Sequence, residues 1–231
     1  MNIARTPLKQ QSIVGINKLS KHNDIGLAAS PEAKIWTSFY EQDVQIATWQ
    51  RTRSIVLNES VTALLALNTF SQLQFSSPAQ DVAQKLAMHM PQFKHRSVLL
   101  KDIALLSDMF ACLFDQDNVG LRLKVLDTTM CPRFHVDQVP CRLLTTYRGP
   151  ATEWLPNESA DRNKLGTGNQ GLSDDLSGLF QQTSDIKSMN AGDVALLKGE
   201  SWQGNEGRGL IHRSPINSGG HKRLLLTLDF A

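Results

Sequence analysis

The chain has 231 residues, is 41% hydrophobic and 20% charged, and carries a net charge of +2. Near-neutrality leaves no basic footprint for nucleic acid, and no apolar run reaches the roughly 20 residues that cross a bilayer. The three cysteines, Cys112, Cys131 and Cys141, are odd in number and too few for a disulfide framework; they fit reduced thiols.

Residues 1–30 are polar and aperiodic, and their basic residues are scattered; they read as a loosely held arm. This stretch lacks the apolar core of a signal peptide, so the expectation is a cytoplasmic protein without a membrane partner. VQIATWQR (44–51) has the β-branched and aromatic content of a short strand. Residues 31–118 otherwise carry a helical signal. NESVTALLALN offers Asn58 or Ser60 as a cap, SPAQDVAQKLAMHMP starts after Pro78 and stops at Pro91, and SVLLKDIALLSDMFACLFDQ places apolar residues at 99, 100, 103, 106, 109, 110 and 113.

After Gly120 the pattern changes to short β-rich runs: LRLKVLDTT, RLLTTYRG, VALLKG, GLIHRS and KRLLLTLDF. A polar, glycine-containing stretch at 156–193 interrupts them, with the length of a lid or binding loop. The division is an arm at 1–30, a mainly helical part at 31–118 and a β domain at 119–231.

Within 131-CPRFHVDQVPC-141, His135 and Asp137 are two residues apart. If RFHVD is a strand, both project from one face. A third member stands in 209-GLIHRSPINSGGHKRLLLTLDF-230, where His212 shares a face with Leu210 and Ser214. In the last strand Arg223 shares a face with Leu225 and Thr227, opposite the apolar row Leu224, Leu226, Leu228 and Phe230. A guanidinium on so apolar a strand needs an anion or a solvated cavity. Two imidazoles and one carboxylate leave half an octahedron open, the preferred set for non-haem Fe(II) oxygenases.

In their order along the chain, HVD, RLLTTY, GDVALLKG, His212 and Arg223 make residues 120–231 resemble the double-stranded β-helix (jelly roll) of the Fe(II)/2-oxoglutarate-dependent dioxygenases. The resemblance implies an α+β protein whose helical N-terminal part packs on that jelly roll. It implies iron on His135, Asp137 and His212, and 2-oxoglutarate on Arg223, with Tyr147 and Thr227 beside it. The substrate would be a small molecule or a peptide, hydroxylated as the co-substrate is decarboxylated. The chain departs from the family's usual pattern in having Leu225 where a hydroxyl often stands. From about residue 30 it also resembles an uncharacterised bacterial family with signatures like TEWLPN, GDVALLKGE and HRSP.

Two other readings use the same residues. Cys131 and Cys141 flank the pair as C-x3-H-x-D-x3-C, and a thiolate joining the histidines would make a zinc site of metal homeostasis. A jelly roll without catalysis is the third reading. His89 and His95 flank a helix end, His22 lies in the arm and His221 in a turn. Glu153, Trp154 and Trp202 suit either a pocket wall or ordinary packing, while Lys198 and Glu200 read as solvated. No nucleotide-binding loop, nucleophile elbow or CxxC pair is present.

Overall fold

The computed structural model describes residues 26–217 and 220–231. His22 and most of the proposed arm lie outside them, but the arm's end does not read as coil. Leu27–Ser30 forms β1, paired in parallel with β2 (Ile46–Trp49), the strand expected in VQIATWQR. Three helices follow: α1 (Ile55–Ala66), α2 (Val82–His89) and α3 (Arg96–Phe114). The cap of α1 is Ser54, whose Oγ accepts from the Leu57 amide at 3.1 Å, rather than Asn58 or Ser60. Between α1 and α2 the chain forms β3 (Gln72–Pro78), so the N-terminal part supplies three strands as well as helices.

The remaining strands are β4 (Asn118–Leu126), β5 (Cys141–Arg148), β6 (Glu153–Leu155), β7 (Lys187–Ser188), β8 (Val194–Lys198), β9 (Ile211–Arg213) and β10 (Arg223–Phe230). They build a seven-stranded sheet in the order β1-β2-β8-β5-β10-β4-β3 and a three-stranded sheet in the order β7-β6-β9. One face of the large sheet meets the helices: Leu99, Ile103 and Phe110 share a core with Leu121, Leu143, Leu224 and Leu226. Its other face turns to the small sheet, where Leu144, Leu225, Ala195, Trp154 and Leu210 pack together. Strand alternation thus divides every central strand into a helix-facing row and a row facing the small sheet.

The 156–193 stretch is a folded excursion. It holds a short helix, α4 (Asp174–Ser177), and Leu179 and Phe180 pack on Phe134, Leu155 and Ile211. The buried Asp174 carboxylate accepts from the Phe134 amide at 2.9 Å and faces the Arg213 guanidinium at 3.3 Å. The excursion therefore braces the segment that carries His135.

Candidate metal centre

RFHVD is not a strand. It pairs with the small sheet through one bridge, in which the amides and carbonyls of His135 and His212 bond reciprocally at 3.0 and 2.9 Å. The prolines at 132 and 140 cannot donate to a ladder, which suits pairing confined to this point. The bridge aligns a different pair from the one the expected strand was to align. It sets the two histidines directly opposite one another, with ring centroids 4.6 Å apart. Asp137, two residues on, is fixed by its carbonyl, which accepts from the Glu200 amide at 2.8 Å. One ligand atom from each of His135, Asp137 and His212 lies within 4.8 Å of the others.

The nitrogens are presented consistently. His135 Nδ1 lies 2.9 Å from the Arg133 carbonyl and His212 Nδ1 lies 3.1 Å from the Leu210 carbonyl. A carbonyl only accepts, so each Nδ1 carries a proton, which in a neutral imidazole leaves the lone pair on Nε2. His212 Nε2 points to the Asp137 carboxylate at 3.4 Å. Burial pushes the His212 imidazole down to about 4 against the pull of Asp137, which keeps it in the neutral form that a metal needs.

Arg142, at the head of β5, was not anticipated from sequence. Its Nη1 donates to Asp137 at 2.8 Å, while Nε and Nη2 grip Asp229 at 2.8 and 3.0 Å. The only sequence signal is that Arg142 and Asp229 fall on the site-facing rows of adjacent strands; they are direct partners across β5 and β10.

At the other end of the β10 row from Asp229, Arg223 is buried, at 3% exposure. Its contacts are hydroxyls: Thr146 at 3.1 Å, Thr152 at 2.9 Å and Ser214 at 3.3 Å. Among the described residues no carboxylate pairs with it. Burial alone lowers its pKa to about 10. Thr227 lies on the same face, and its buried Oγ1 has no hydrogen-bond partner.

Tyr147 does not join them. Thr146 faces Arg223, so the next residue must face the helices. There Tyr147 donates to Asp102 of α3 at 2.6 Å, beside the Arg51–Asp102 ion pair. Its hydroxyl is unavailable to a ligand on the Arg223 face.

The cysteines also stay apart from the trio. Cys141 is fully buried in the helix-side core and Cys131 is not among the clustered ligands. Burial raises the Cys141 thiol well above its ordinary range. Lys198 is not solvated: it is buried and donates to the Glu41 carbonyl at 2.8 Å, while Glu200 is partly exposed and accepts from Arg162 and from the Gly209 amide. Glu153 pairs with Arg213 at 2.7 Å, and Trp202 joins the rings of Phe39, Tyr40 and Phe114. His89 closes α2, His95 Nε2 lies 3.2 Å from Glu59, and His221 is exposed.

Among solved structures, a Shewanella oneidensis protein assigned as an oxygenase aligns over 90% of this chain and 89% of its own, at 10% identity and a TM-score of 0.50. The rice dioxygenase for auxin oxidation aligns over 80% and 73%, at 11% identity and a TM-score of 0.49. The iron-bound HygX protein of Streptomyces hygroscopicus aligns over 80% of each chain, at 11% identity and a TM-score of 0.45. At such identities the likeness concerns the fold alone, a mixed helix-and-sheet architecture with a seven-stranded sheet. No curated protein matches the sequence. A family profile does, over residues 30–229, and the chain belongs to that family, described as proteins of unknown function (DUF1826).

Proposed function

We propose that the protein is an Fe(II)/2-oxoglutarate-type oxygenase acting on a small molecule or peptide. The observation that carries this reading is a pairing of unmet needs on one face of the barrel. Three ligand atoms converge with two lone pairs held ready, and a buried guanidinium that no carboxylate among the described residues pairs with makes four hydrogen bonds to hydroxyls nearby. The donor set fits iron, because two imidazoles and a carboxylate leave positions open, and the absence of cysteine from the trio removes the main argument for a closed zinc site. When bound, iron with 2-oxoglutarate and dioxygen supplies the oxidising power for hydroxylation.

The chain's own residues do the rest. His135 and His212 offer Nε2, and Asp137 supplies the negative charge. Arg142, itself neutralised by Asp229, holds Asp137 from behind. Arg223 receives the distal carboxylate of the co-substrate as a bidentate fork, oriented by Thr146, Thr152 and Ser214. Thr227 offers its free hydroxyl on the same face. Leu144, Leu225 and Trp154 keep the space apolar, which strengthens each polar contact within it.

The test is anaerobic reconstitution of the wild type and of His135→Ala with Fe(II) or zinc, followed by 2-oxoglutarate. Stoichiometric Fe(II), a visible charge-transfer band on adding 2-oxoglutarate, and loss of both in His135→Ala are expected. Zinc uptake that depends on Cys131, with no band from the iron form, would replace this reading with a zinc protein.

A further inference from the structure

Asp229 is not a member of the trio, yet it governs how one member is held. In β10 it stands directly across from Arg142 of β5, and on its other flank across from Gly120 of β4, which offers no side chain. Its carboxylate takes two nitrogens of the Arg142 guanidinium, Nε at 2.8 Å and Nη2 at 3.0 Å. Nη1 remains, and it reaches Asp137 Oδ2 at 2.8 Å. With one edge of the fork taken up by Asp229, Arg142 meets Asp137 through a single nitrogen. It holds one oxygen of that carboxylate and leaves the other, Oδ1, outside its grip.

Released from Asp229, the same guanidinium could turn a two-nitrogen edge onto Asp137 and engage both oxygens, the geometry that arginine and carboxylate favour. A fixed cation would then hold the carboxylate that a metal needs. The charges count the same way. With imidazoles as neutral ligands, Asp137 brings the only charge of the trio. Arg142 cancels that charge and Asp229 restores it. A doubly charged ion feels each of these neighbours twice over, as repulsion from Arg142 and attraction to Asp229. The two side chains are partly exposed, at 21% and 23%, so as a structural ion pair alone they contribute little.

We propose that Asp229 is a positioning residue for metal uptake: acting through Arg142, it keeps Asp137 open to a divalent cation and offsets the positive charge that would repel one. This rests on the reading of the trio as a metal centre and extends it to a residue outside the ligand set. The signature has opposite signs for the two ligands. Removing the negative charge at 229 disfavours the cation and favours, or leaves alone, the dianion that follows it. Losing a merely structural pair would loosen the site for both.

Free Mn(II), counted by EPR, reads the metal affinity of the full-length protein, and calorimetry reads 2-oxoglutarate on the Mn(II)-saturated protein. Asp229→Asn should weaken Mn(II) by at least about tenfold, while 2-oxoglutarate binds the saturated protein as tightly as in the wild type or more so. Removing both charges, in Arg142→Gln/Asp229→Asn, should bring Mn(II) back to within about threefold of the wild type. Unchanged Mn(II) affinity in Asp229→Asn, weakening of both ligands, or a double variant that binds Mn(II) no better than the single would overturn the proposal. If Asp229→Asn does not fold, Arg142→Gln decides. Glutamine keeps one donor for Asp137 and drops the cation, so Mn(II) should bind at least as tightly as in the wild type; weaker Mn(II) would overturn the proposal. Mn(II) bound without 2-oxoglutarate in the wild type would sink the co-substrate reading, and the double variant would then decide the role of Asp229. A wild type that takes up no Mn(II) would overturn the metal-centre reading, and this one with it.

Discussion

Replacing Arg223 with Gln isolates the charge that the structure leaves uncompensated. Glutamine can still meet hydroxyls of the kind that Thr146, Thr152 and Ser214 present, but it cannot carry the guanidinium's charge. Burial lowers the Arg223 pKa from 12.5 to about 10. At about 1.36 kcal/mol per unit, holding the cation among hydroxyls alone costs on the order of 3 kcal/mol. The sign is that of a cation with a depressed folded-state pKa. The unfolded chain holds the proton more tightly, so the penalty is full below pH 10 and fades only above it. An incoming carboxylate reverses part of that cost through hydrogen bonds between charged groups, worth about 1.5–3 kcal/mol. At about 1.4 kcal/mol per tenfold, Arg223→Gln should lose roughly 10- to 100-fold in 2-oxoglutarate affinity. Metal content should be unchanged, and the ligand-free protein should be as stable as the wild type or more so in urea. Calorimetric titration of the Mn(II)-loaded protein reads the affinity. A change of less than about twofold would refute the reasoning, since every step of it runs through that charge.

Three further perturbations test the frame around the trio. His212 stays neutral down to about 4 in the folded metal-free protein against 6.5 when exposed. The unfolded chain therefore protonates first as pH falls, and stability should drop by up to about 3 kcal/mol between pH 6.5 and 4, a slope that His212→Gln should flatten in urea titrations. Gly199 is a close-approach position: a Cβ there would stand 1.8 Å from the Val139 carbonyl oxygen and 3.1 Å from that of Asp137. Gly199→Ala should thus cost about 1–3 kcal/mol or more and weaken metal uptake, read by thermal melts and metal analysis. Asp174→Ala removes the partner of both the Phe134 amide and Arg213 without touching the trio. It should destabilise by about 1–3 kcal/mol and weaken metal binding through the loosened His135 segment, while Asp175→Ala, next to it, should change neither.

How much of this was legible in the sequence depends on whether a residue's task is set by its own strand. Arg223 could be read from the alternation of KRLLLTLDF, since a cation on the row opposite Leu224, Leu226 and Leu228 has few ways to be stable. His135 and His212 could be matched by spacing and order, even though the expected strand shrank to a single bridge: two prolines limit the ladder, and one reciprocal pair suffices to align two side chains. β3 escaped because SQLQFSSP is polar on the row that faces solvent and short on the row that does not. Tyr147 was misplaced by one residue of register. A strand neighbour of the correct position always faces the wrong layer, and resemblance to a family fixes a strand more readily than a face. Arg142 and Asp229 were invisible because their meaning lies in a cross-strand pairing that no local pattern encodes.

The two arginines of the site-facing rows make the functional argument in their contrast. Both come from strands at the centre of the same sheet, and both have lost most of their water. Arg142 answers that loss with two carboxylates inside the protein, Asp137 and Asp229, and its pKa rises despite burial. Arg223 answers it with hydroxyls alone, and its pKa falls. A fold that wanted only stability would treat the two alike, by pairing the second or replacing it with a leucine. The asymmetry places the positive charge of Arg223 at one end of the β10 row, whose other end, Asp229, shares Arg142 with the Asp137 carboxylate of the candidate trio. An anion that also offered donor atoms toward His135, Asp137 and His212 would complete both ends at once, which is the chemistry of a 2-oxo acid with a second carboxylate.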